Sequence, residues 1–393
     1  MSTAALTDLF DVESELAPHE RETRDTVRAF VDVEIRPHIA RWFADAYFPR
    51  EIVPAMAGLG LLGMHLEGYG CAGRSAVEYG LAMQEIEAGD SGLRTFVSVQ
   101  GSLAMTAIAK NGSEEQRQRW LPGMAAGEII GCFGLTEPTA GSDPGTMATT
   151  AVLTGGEWVL NGAKRWIGLA SIADVAVIWA KALSDDGTPQ VRGFLVPTAT
   201  PGFTATPIEP KLSMRASIQC DIELTDVRLP EDAILPHNPG LRGPFACLNE
   251  ARYGIVWGAL GAARDSLEAA LAYSAERLQF GKPLAAYQLT QEKLANMALA
   301  VAQAQLVALR LGRLKDEGRL DRHMISAGKL NSCRVAIEVA RQARTILGGN
   351  GITLDHSPLR HANNLESVRT YEGTDEVHTL VLGQHLTGIA AFR

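Results

Sequence analysis

Apolar residues recur every three or four positions through 20–39, 51–62, 76–87 and 97–109, the spacing that lines one face of an α-helix. Ser113-Glu114-Glu115-Gln116 then supplies a capping box, and the helix it starts is expected to stop at Pro122. Residues 1–130 therefore predict a helical domain. At Gly131 the texture changes. The stretches 151–153, 158–160, 175–180, 193–196 and 221–224 are short β-rich runs, parted by turn signals such as Gly155-Gly156 and Asn161-Gly162. The segments between them are too short for crossover helices, so 131–238 predicts an antiparallel sheet or small barrel in place of a βαβ unit. Helical spacing returns after Pro239 in long amphipathic stretches over 245–277, 291–317 and 324–347, which predict an antiparallel bundle over 239–393. The expected fold class is α+β: an N-terminal helical domain, a central antiparallel β domain and a C-terminal four-helix bundle.

Composition narrows the function classes. With 393 residues the chain can bury a sizeable core in two or three domains. A formal charge of -9 argues against broad nucleic-acid or anionic-membrane binding. The five cysteines (Cys71, Cys132, Cys220, Cys247, Cys333) form no C-x-x-C pair and read as free thiols in a reducing compartment, and no histidine spacing suggests a metal site. The first residues lack a basic leader followed by an apolar run, and no apolar, charge-free stretch is expected to approach the ~20 residues that span a bilayer. A cytoplasmic location is the expectation.

Two stretches carry candidate chemistry. In Thr370-Tyr371-Glu372-Gly373-Thr374, a carboxylate stands beside glycine and hydroxyls, shortly after the glycine cluster Leu347-Gly348-Gly349-Asn350-Gly351. A carboxylate that removes a carbon-bound proton needs partial dehydration and backbone donors nearby for the developing oxyanion, and this turn can supply both. A capped or salt-bridged loop would read the same way from the pentapeptide alone. Residues 132–143, from Cys132-Phe133-Gly134-Leu135-Thr136-Glu137 to Gly141-Ser142-Asp143, combine small residues, hydroxyls and accessible backbone. They suit a flat heteroaromatic ring with polar edges, and equally a plain turn. No G-x-G-x-x-G follows a strand and no Walker sequence is present, which excludes the common nucleotide loops.

Five motifs taken together carry a resemblance. Leu135-Thr136-Glu137-Pro138 with Gly141-Ser142-Asp143, Gly162-Ala163-Lys164-Arg165-Trp166-Ile167, Arg277-Leu278-Gln279-Phe280-Gly281-Lys282-Pro283-Leu284, Leu347-Gly348-Gly349-Asn350-Gly351 and Tyr371-Glu372-Gly373-Thr374 stand in the order and spacing of acyl-CoA dehydrogenases. The resemblance spans nearly the whole chain. Within the family it is strongest to the glutaryl-CoA dehydrogenases, in 131–143, Ala251-Arg252-Tyr253-Gly254-Ile255, Arg341-Gln342-Ala343-Arg344 and the closing Thr387-Gly388-Ile389-Ala390-Ala391-Phe392. It implies an FAD enzyme, a homotetramer, with electron-transferring flavoprotein as its acceptor and a place in lysine and tryptophan degradation. By that resemblance Phe133, Leu135, Thr136 and Ser142 line the flavin and the start of the CoA channel, with Trp166, Ile167 and Gly168 flanking the ring. Arg277, Phe280 and Gln288 of a neighbouring subunit reach the far end of FAD, with Gly348 and Gly349 beside them, and Thr374 and Glu376 close over the cofactor. The stretch 245–252, with Phe245, Asn249 and Arg252, runs along the pantetheine arm. Glu372 is the base, flanked by Tyr371 and Gly373. The physical reading agrees where it can: a permanent cation at Arg277 suits a pyrophosphate, although a solvated helix face would also place it there.

Specificity turns on Glu87, Arg94, Thr95 and Ser98. Arg94 lies in an otherwise uncharged run, and a buried arginine is costly without an anion. Its partner is either Glu87 or a substrate carboxylate, and the resemblance implies that Arg94 and Ser98 hold the distal carboxylate of glutaryl-CoA, which is oxidised and decarboxylated to crotonyl-CoA. One departure stands out. Many family members have a hydroxyl residue after Trp-Ile, where this chain has Gly168, a glycine it shares with a plant-type short-chain acyl-CoA oxidase of the same fold. The alternatives are therefore a short-chain acyl-CoA dehydrogenase or oxidase, a non-decarboxylating glutaryl-CoA dehydrogenase, and a silent CoA- or flavin-binding subunit.

Overall fold

A computed structural model describes residues 7–183 and 189–392 of the chain; residues 1–6, on which the reading of the leader rests, lie outside them. The N-terminal domain contains α1 (Pro18–Phe30), α2 (Ile39–Ala44), α3 (Val53–Gly58), α4 (Ala76–Gly89), α5 (Ser91–Val97), α6 (Thr106–Asn111) and α7 (Glu114–Ala125). Ser75 caps α4 reciprocally: the Glu78 N–H donates to its hydroxyl at 3.1 Å and its own N–H donates to the Glu78 carboxylate at 3.1 Å. Every residue of α4 is buried, so this helix is a core element with no solvent face.

Three sequence expectations need correction here. The stretch 97–109 is not one regular helix, because the chain breaks at Asp90 and then passes from α5 to α6 through wide, π-type turns over Ser98–Met105. The stretch 20–39 is interrupted in the same way at Val31–Ile35. Such turns carry the backbone-pairing pattern of a helix at slightly altered register, so apolar periodicity passes through them unmarked. Nor does Pro122 stop α7. It sits in the last turn, its carbonyl accepts the Ala126 N–H at 3.0 Å, and the bond its ring forfeits is to Gln118, an exposed residue.

The β domain holds β1 (Gly131–Gly134), β2 (Thr150–Thr154), β3 (Glu157–Gly168), β4 (Val175–Leu183), β5 (Pro189–Pro197), β6 (Phe203–Pro207) and β7 (Gln219–Pro230). They form one seven-stranded sheet. It is antiparallel except where β1 and β2 lie end to end along one edge of β4, each parallel to it. The hairpin partner β3 takes the chain across between β2 and β4, so no crossover helix is needed. The continuous apolar run of β4, buried from Val175 to Ala180, follows from its central place. In β3 the register shifts between Lys164 and Ile167. This bulge leaves Lys164 buried and Trp166 at φ 64 with 54% of its surface exposed, an outward re-aiming that strict alternation would not allow.

The C-terminal domain is built on α8 (Arg242–Glu276), followed by a hairpin of β8 (Leu278–Gln279) and β9 (Lys282–Pro283), then α9 (Gln288–Asp316), α10 (Arg322–Ile346), α11 (Ser357–Val368) and α12 (Asp375–Thr387). The helix α8 packs on α10 and on α4, joining the two helical domains. A Cβ at Gly261 would lie 1.9 Å from the Gln84 carbonyl, so α4 and α8 approach as closely as backbone allows. Among the described residues one helix, α9, is by length and composition apolar enough to cross a membrane. It packs against α8, α10 and α4 instead, leaving an exposed apolar face at Leu299, Leu306 and Val307.

Candidate active site

A cavity of about 800 Å³ opens where the β sheet meets α5, α8 and the turn between α11 and α12. That turn holds Glu372 at φ 55 and Gly373 at φ 97, two successive left-handed residues. Left-handed backbone is unfavourable for a glutamate, so something must hold it. Arg252 of α8 donates from Nε to the Glu372 carbonyl at 2.7 Å, and Lys329 of α10 donates from Nζ to the Gly373 carbonyl at 2.7 Å. Thr374 then caps α12, its hydroxyl accepting the Val377 N–H at 3.3 Å. Both cations hold main-chain oxygens of the turn and make no hydrogen bond to the Glu372 carboxyl. The Glu372 carboxyl keeps Oε2 buried and unpartnered, and burial pushes its pKa up to about 7 against the pull of Arg252, Lys329 and Arg94. A carboxylate with this basicity, facing a cavity, can accept a proton near neutral pH.

The opposite wall comes from the break between α4 and α5. Asp90 caps α5 by accepting the Gly92 N–H at 2.7 Å, and its other oxygen accepts Arg360 Nη1 at 2.6 Å and Asn364 Nδ2 at 2.9 Å, tying the break to α11. Arg94 projects from α5 with 1% of its surface exposed. Its Nε donates to Glu87 Oε2 at 2.6 Å, Nη2 donates to the Tyr371 hydroxyl, and the Tyr371 hydroxyl is hydrogen-bonded to Thr95 Oγ1 at 3.2 Å. Glu87 Oε1 accepts from Ser91 Oγ at 2.8 Å. Gly258 of α8 makes room for the pair: a Cβ there would lie 2.2 Å from Glu87 Oε2. Burial opposes the charge on Arg94, but Glu87 and Tyr371 more than offset it and hold the guanidinium protonated.

The cavity brings together Arg94, Thr95 and Ser98 with Phe133, Leu135, Thr136, Ser142, Trp166, Ile167 and Gly168, and with Phe245, Arg252, Tyr371, Glu372, Gly373 and Thr374. Glu87 and Asn249 do not line it. The Glu87 carboxylate is consumed by Ser91 and Arg94 behind the wall, and Asn249 Oδ1 accepts from Arg252 Nη1 at 3.2 Å. Of the two partners the sequence leaves open for Arg94, Glu87, seven residues back, makes the ion pair within the chain. Glu376, in the first turn of α12, is also outside the cavity lining. Arg277, Phe280, Gln288, Gly348 and Gly349 gather at the distant end of the bundle, where α8 ends, α9 begins and α10 ends. They are exposed there, Phe280 at 95%, and within one chain they do not meet the cavity. His378 is also outside the lining, with Nδ1 hydrogen-bonded to Ser326 Oγ at 3.0 Å.

The sequence reading missed the rim formed by Lys211, Leu212, Ser213 and Met214. Lys211 folds this loop on itself by donating to the carbonyls of Met214 at 2.6 Å and Ser217 at 2.8 Å, and Ser213 Oγ meets Ser367 Oγ at 2.6 Å. The loop has no periodicity, and Pro210 was its only signal. Val99, which faces Gly168 closely enough that a Cβ there would lie 3.2 Å from its Cγ2, was hidden by the wide turn.

Comparisons with known proteins show the family. The profiles of the acyl-CoA dehydrogenase N-terminal, middle and C-terminal domains match residues 17–128, 132–227 and 238–387. The mitochondrial short-chain specific acyl-CoA dehydrogenase of Homo sapiens is 39% identical over 92% of this chain and 88% of its own. The crystal structure of a glutaryl-CoA dehydrogenase from Mycobacterium smegmatis in complex with FADH2 is 58% identical, with a TM-score of 0.95 over 98% of both chains. Butyryl-CoA dehydrogenase from Megasphaera elsdenii is 29% identical, with a TM-score of 0.90 over 94% of this chain and 98% of its own. FAD is the cofactor this family uses, and a largely apolar cavity of this size with polar edges and an unpartnered carboxyl fits its ring together with an acyl thioester. The chain belongs to the acyl-CoA dehydrogenase family of flavoprotein oxidoreductases.

Proposed function

We propose that the enzyme oxidises glutaryl-CoA and decarboxylates the product to crotonyl-CoA. The observation that carries the reading is Arg94, a guanidinium on the cavity wall facing the same space as Glu372. Its Nε and Nη2 are engaged, and Nη1 makes no hydrogen bond among the described residues, which leaves a donor for a distal carboxylate. Ser98 and Thr95 add hydroxyls beside it. The strong likeness to the Mycobacterium smegmatis glutaryl-CoA dehydrogenase supports this substrate.

In the reaction, Glu372 removes the α-proton of the bound thioester, and its own backbone N–H, which donates to no other group among the described residues, faces the developing enolate oxygen. FAD, when bound, supplies the acceptor for the β-hydride. Phe133, Leu135, Thr136, Ser142, Trp166 and Ile167 hold its ring from one chain, while Arg277, Phe280, Gln288, Gly348 and Gly349 of a second copy hold its far end. Phe245 and Arg252 border the pantetheine arm. Arg94 then keeps the distal carboxylate of glutaconyl-CoA in place until carbon dioxide leaves. Protonated Glu372 returns its proton to the dienolate, giving crotonyl-CoA. A homotetramer, an electron-transferring flavoprotein as acceptor and a cytoplasmic location complete the reading; the exposed apolar residues Phe280, Leu289 and Ile352 support the first.

A second reading is a short-chain acyl-CoA enzyme, favoured by the Glu87 partner that already neutralises Arg94 and by the human short-chain relative. Mass analysis of the acyl product separates the two. Crotonyl-CoA with one carbon dioxide per glutaryl-CoA supports the proposal. Glutaconyl-CoA as end product rejects the decarboxylation, and turnover of butyryl-CoA alone rejects the substrate. Hydrogen peroxide release would identify oxygen as the acceptor, consistent with the space left by Gly168.

A further inference from the structure

Lys329 lies in the N-terminal half of α10 with 1% of its surface exposed. Its ammonium makes one hydrogen bond, to the Gly373 carbonyl at 2.7 Å, and forms no ion pair among the described residues. A buried ammonium without a carboxylate is among the most expensive groups a core can hold, and replacing it by a hydrocarbon of similar shape would relieve that cost. The position therefore calls for a reason beyond packing, and the reason lies in what the bond holds. The Gly373 carbonyl belongs to the left-handed turn that carries Glu372, and Arg252 takes the preceding carbonyl from another helix, also at 2.7 Å. His378 of α12 packs close on the same turn: a Cβ on Gly373 would lie 2.9 Å from its Nε2, so only glycine fits there.

Charged and titratable groups couple to Glu372 from four helices. Arg252 and Cys247 do so from α8, Lys329 from α10, with Cys333 beside it, Arg94 from α5 and Tyr79 from α4. Asp375 and His378 face it from α12, and His378 is kept neutral because burial, then Lys329 and Arg252, hold its pKa down to about 3. Of the three cations, Lys329 alone lacks a second hydrogen-bonding partner.

We propose that Lys329 is a positioning residue for the base: it holds the Glu372-Gly373 turn by the carbonyl next to the one Arg252 holds, from a different helix, and its charge favours the carboxylate over the carboxylic acid. This rests on the reading of Glu372 as the base. Burial lowers the Lys329 pKa, while Glu372 is among the groups that raise it, the reciprocal sign of the same interaction.

The test uses flavin-loaded Lys329→Met, Lys329→Gln and Glu372→Gln with butyryl-CoA and glutaryl-CoA, normalised to bound flavin. In Lys329→Met, kcat falls about 10- to 100-fold while KM stays within about twofold, because the loss is in alignment of the base and not in binding. The inflection in the pH profile of kcat moves upward, and the isotope effect from α-deuterated substrate grows while that from β-deuterated substrate does not. Lys329→Gln keeps a donor for the Gly373 carbonyl and removes only the charge. It retains more of kcat than the methionine variant and still moves the inflection upward, so the charge is tested even if Lys329→Met does not fold. A folded variant of either kind with the wild-type inflection and isotope effects overturns the proposal, whatever its thermal stability. Retained turnover in Glu372→Gln would instead overturn the assignment of the base.

Discussion

Replacing Arg94 by methionine, alone and together with Glu87→Gln, separates the stability of the buried pair from its use. Both partners are at most 1% exposed, and their contact is 2.6 Å. In Arg94→Met the Glu87 carboxylate keeps only the Ser91 hydroxyl, and stranding one charge of a buried pair costs about 3–5 kcal/mol. The double variant removes that stranded charge and keeps the Ser91 contact, so it recovers most of the loss. Thermal unfolding should thus rank the double variant above the single one, although it carries one more substitution. Substrate selection behaves differently, because methionine cannot donate to a distal carboxylate in either background. A charge-assisted hydrogen bond in this dry wall is worth about 2–3 kcal/mol, or about 30- to 160-fold in kcat/KM. The assay is the ratio of kcat/KM for glutaryl-CoA to that for butyryl-CoA in the folded, flavin-loaded double variant. The ratio should drop by that factor. An unchanged ratio would refute the role given to Arg94 and leave it a structural partner of Glu87.

Two further outcomes follow from the same geometry. Burial raises the Glu372 pKa from 4.5 to about 7, so the native state keeps a proton that the unfolded chain releases across that window. The resulting destabilisation is absent below the lower value, grows as pH rises and levels off above the upper one, at about 3–4 kcal/mol at most. Glu372→Gln should therefore raise Tm at pH 8 but not near pH 4.5, while wild-type kcat/KM climbs with pH through an inflection near neutrality; a Tm difference independent of pH would contradict the buried carboxyl. Gly258→Ala places a methyl 2.2 Å from Glu87 Oε2, so it should lower the glutaryl-to-butyryl selectivity by displacing Glu87 and with it the guanidinium it holds, and unaltered selectivity would show that the pair can shift without consequence.

The three-domain order was legible because helical and strand periodicities change abruptly at Gly131 and again near Pro239. Local interruptions were not. The wide turns at 31–35 and 98–105 keep apolar residues on the buried side, and the bulge that re-aims Trp166 depends on cross-strand register with β7, which no local pattern encodes. The turn at Glu372-Gly373 could be suspected from a carboxylate next to glycine. Its restraint could not, because Arg252 and Lys329 arrive from helices 120 and 44 residues away. Arg94 shows another limit of the local pattern. Glu87 is close enough in sequence to be proposed as its partner, yet only the packing of α4 on α8, with Gly258 between, decides that the pair is made.

Anaerobic titration of the yellow holoenzyme with glutaryl-CoA and with butyryl-CoA, following the flavin absorbance and identifying the acyl product, is the most direct measurement of substrate and chemistry together. Bleaching at lower concentration and higher rate by glutaryl-CoA, with crotonyl-CoA formed, is the predicted result. Preferential bleaching by butyryl-CoA, with glutaryl-CoA left unreacted, would contradict it and make this a short-chain acyl-CoA enzyme.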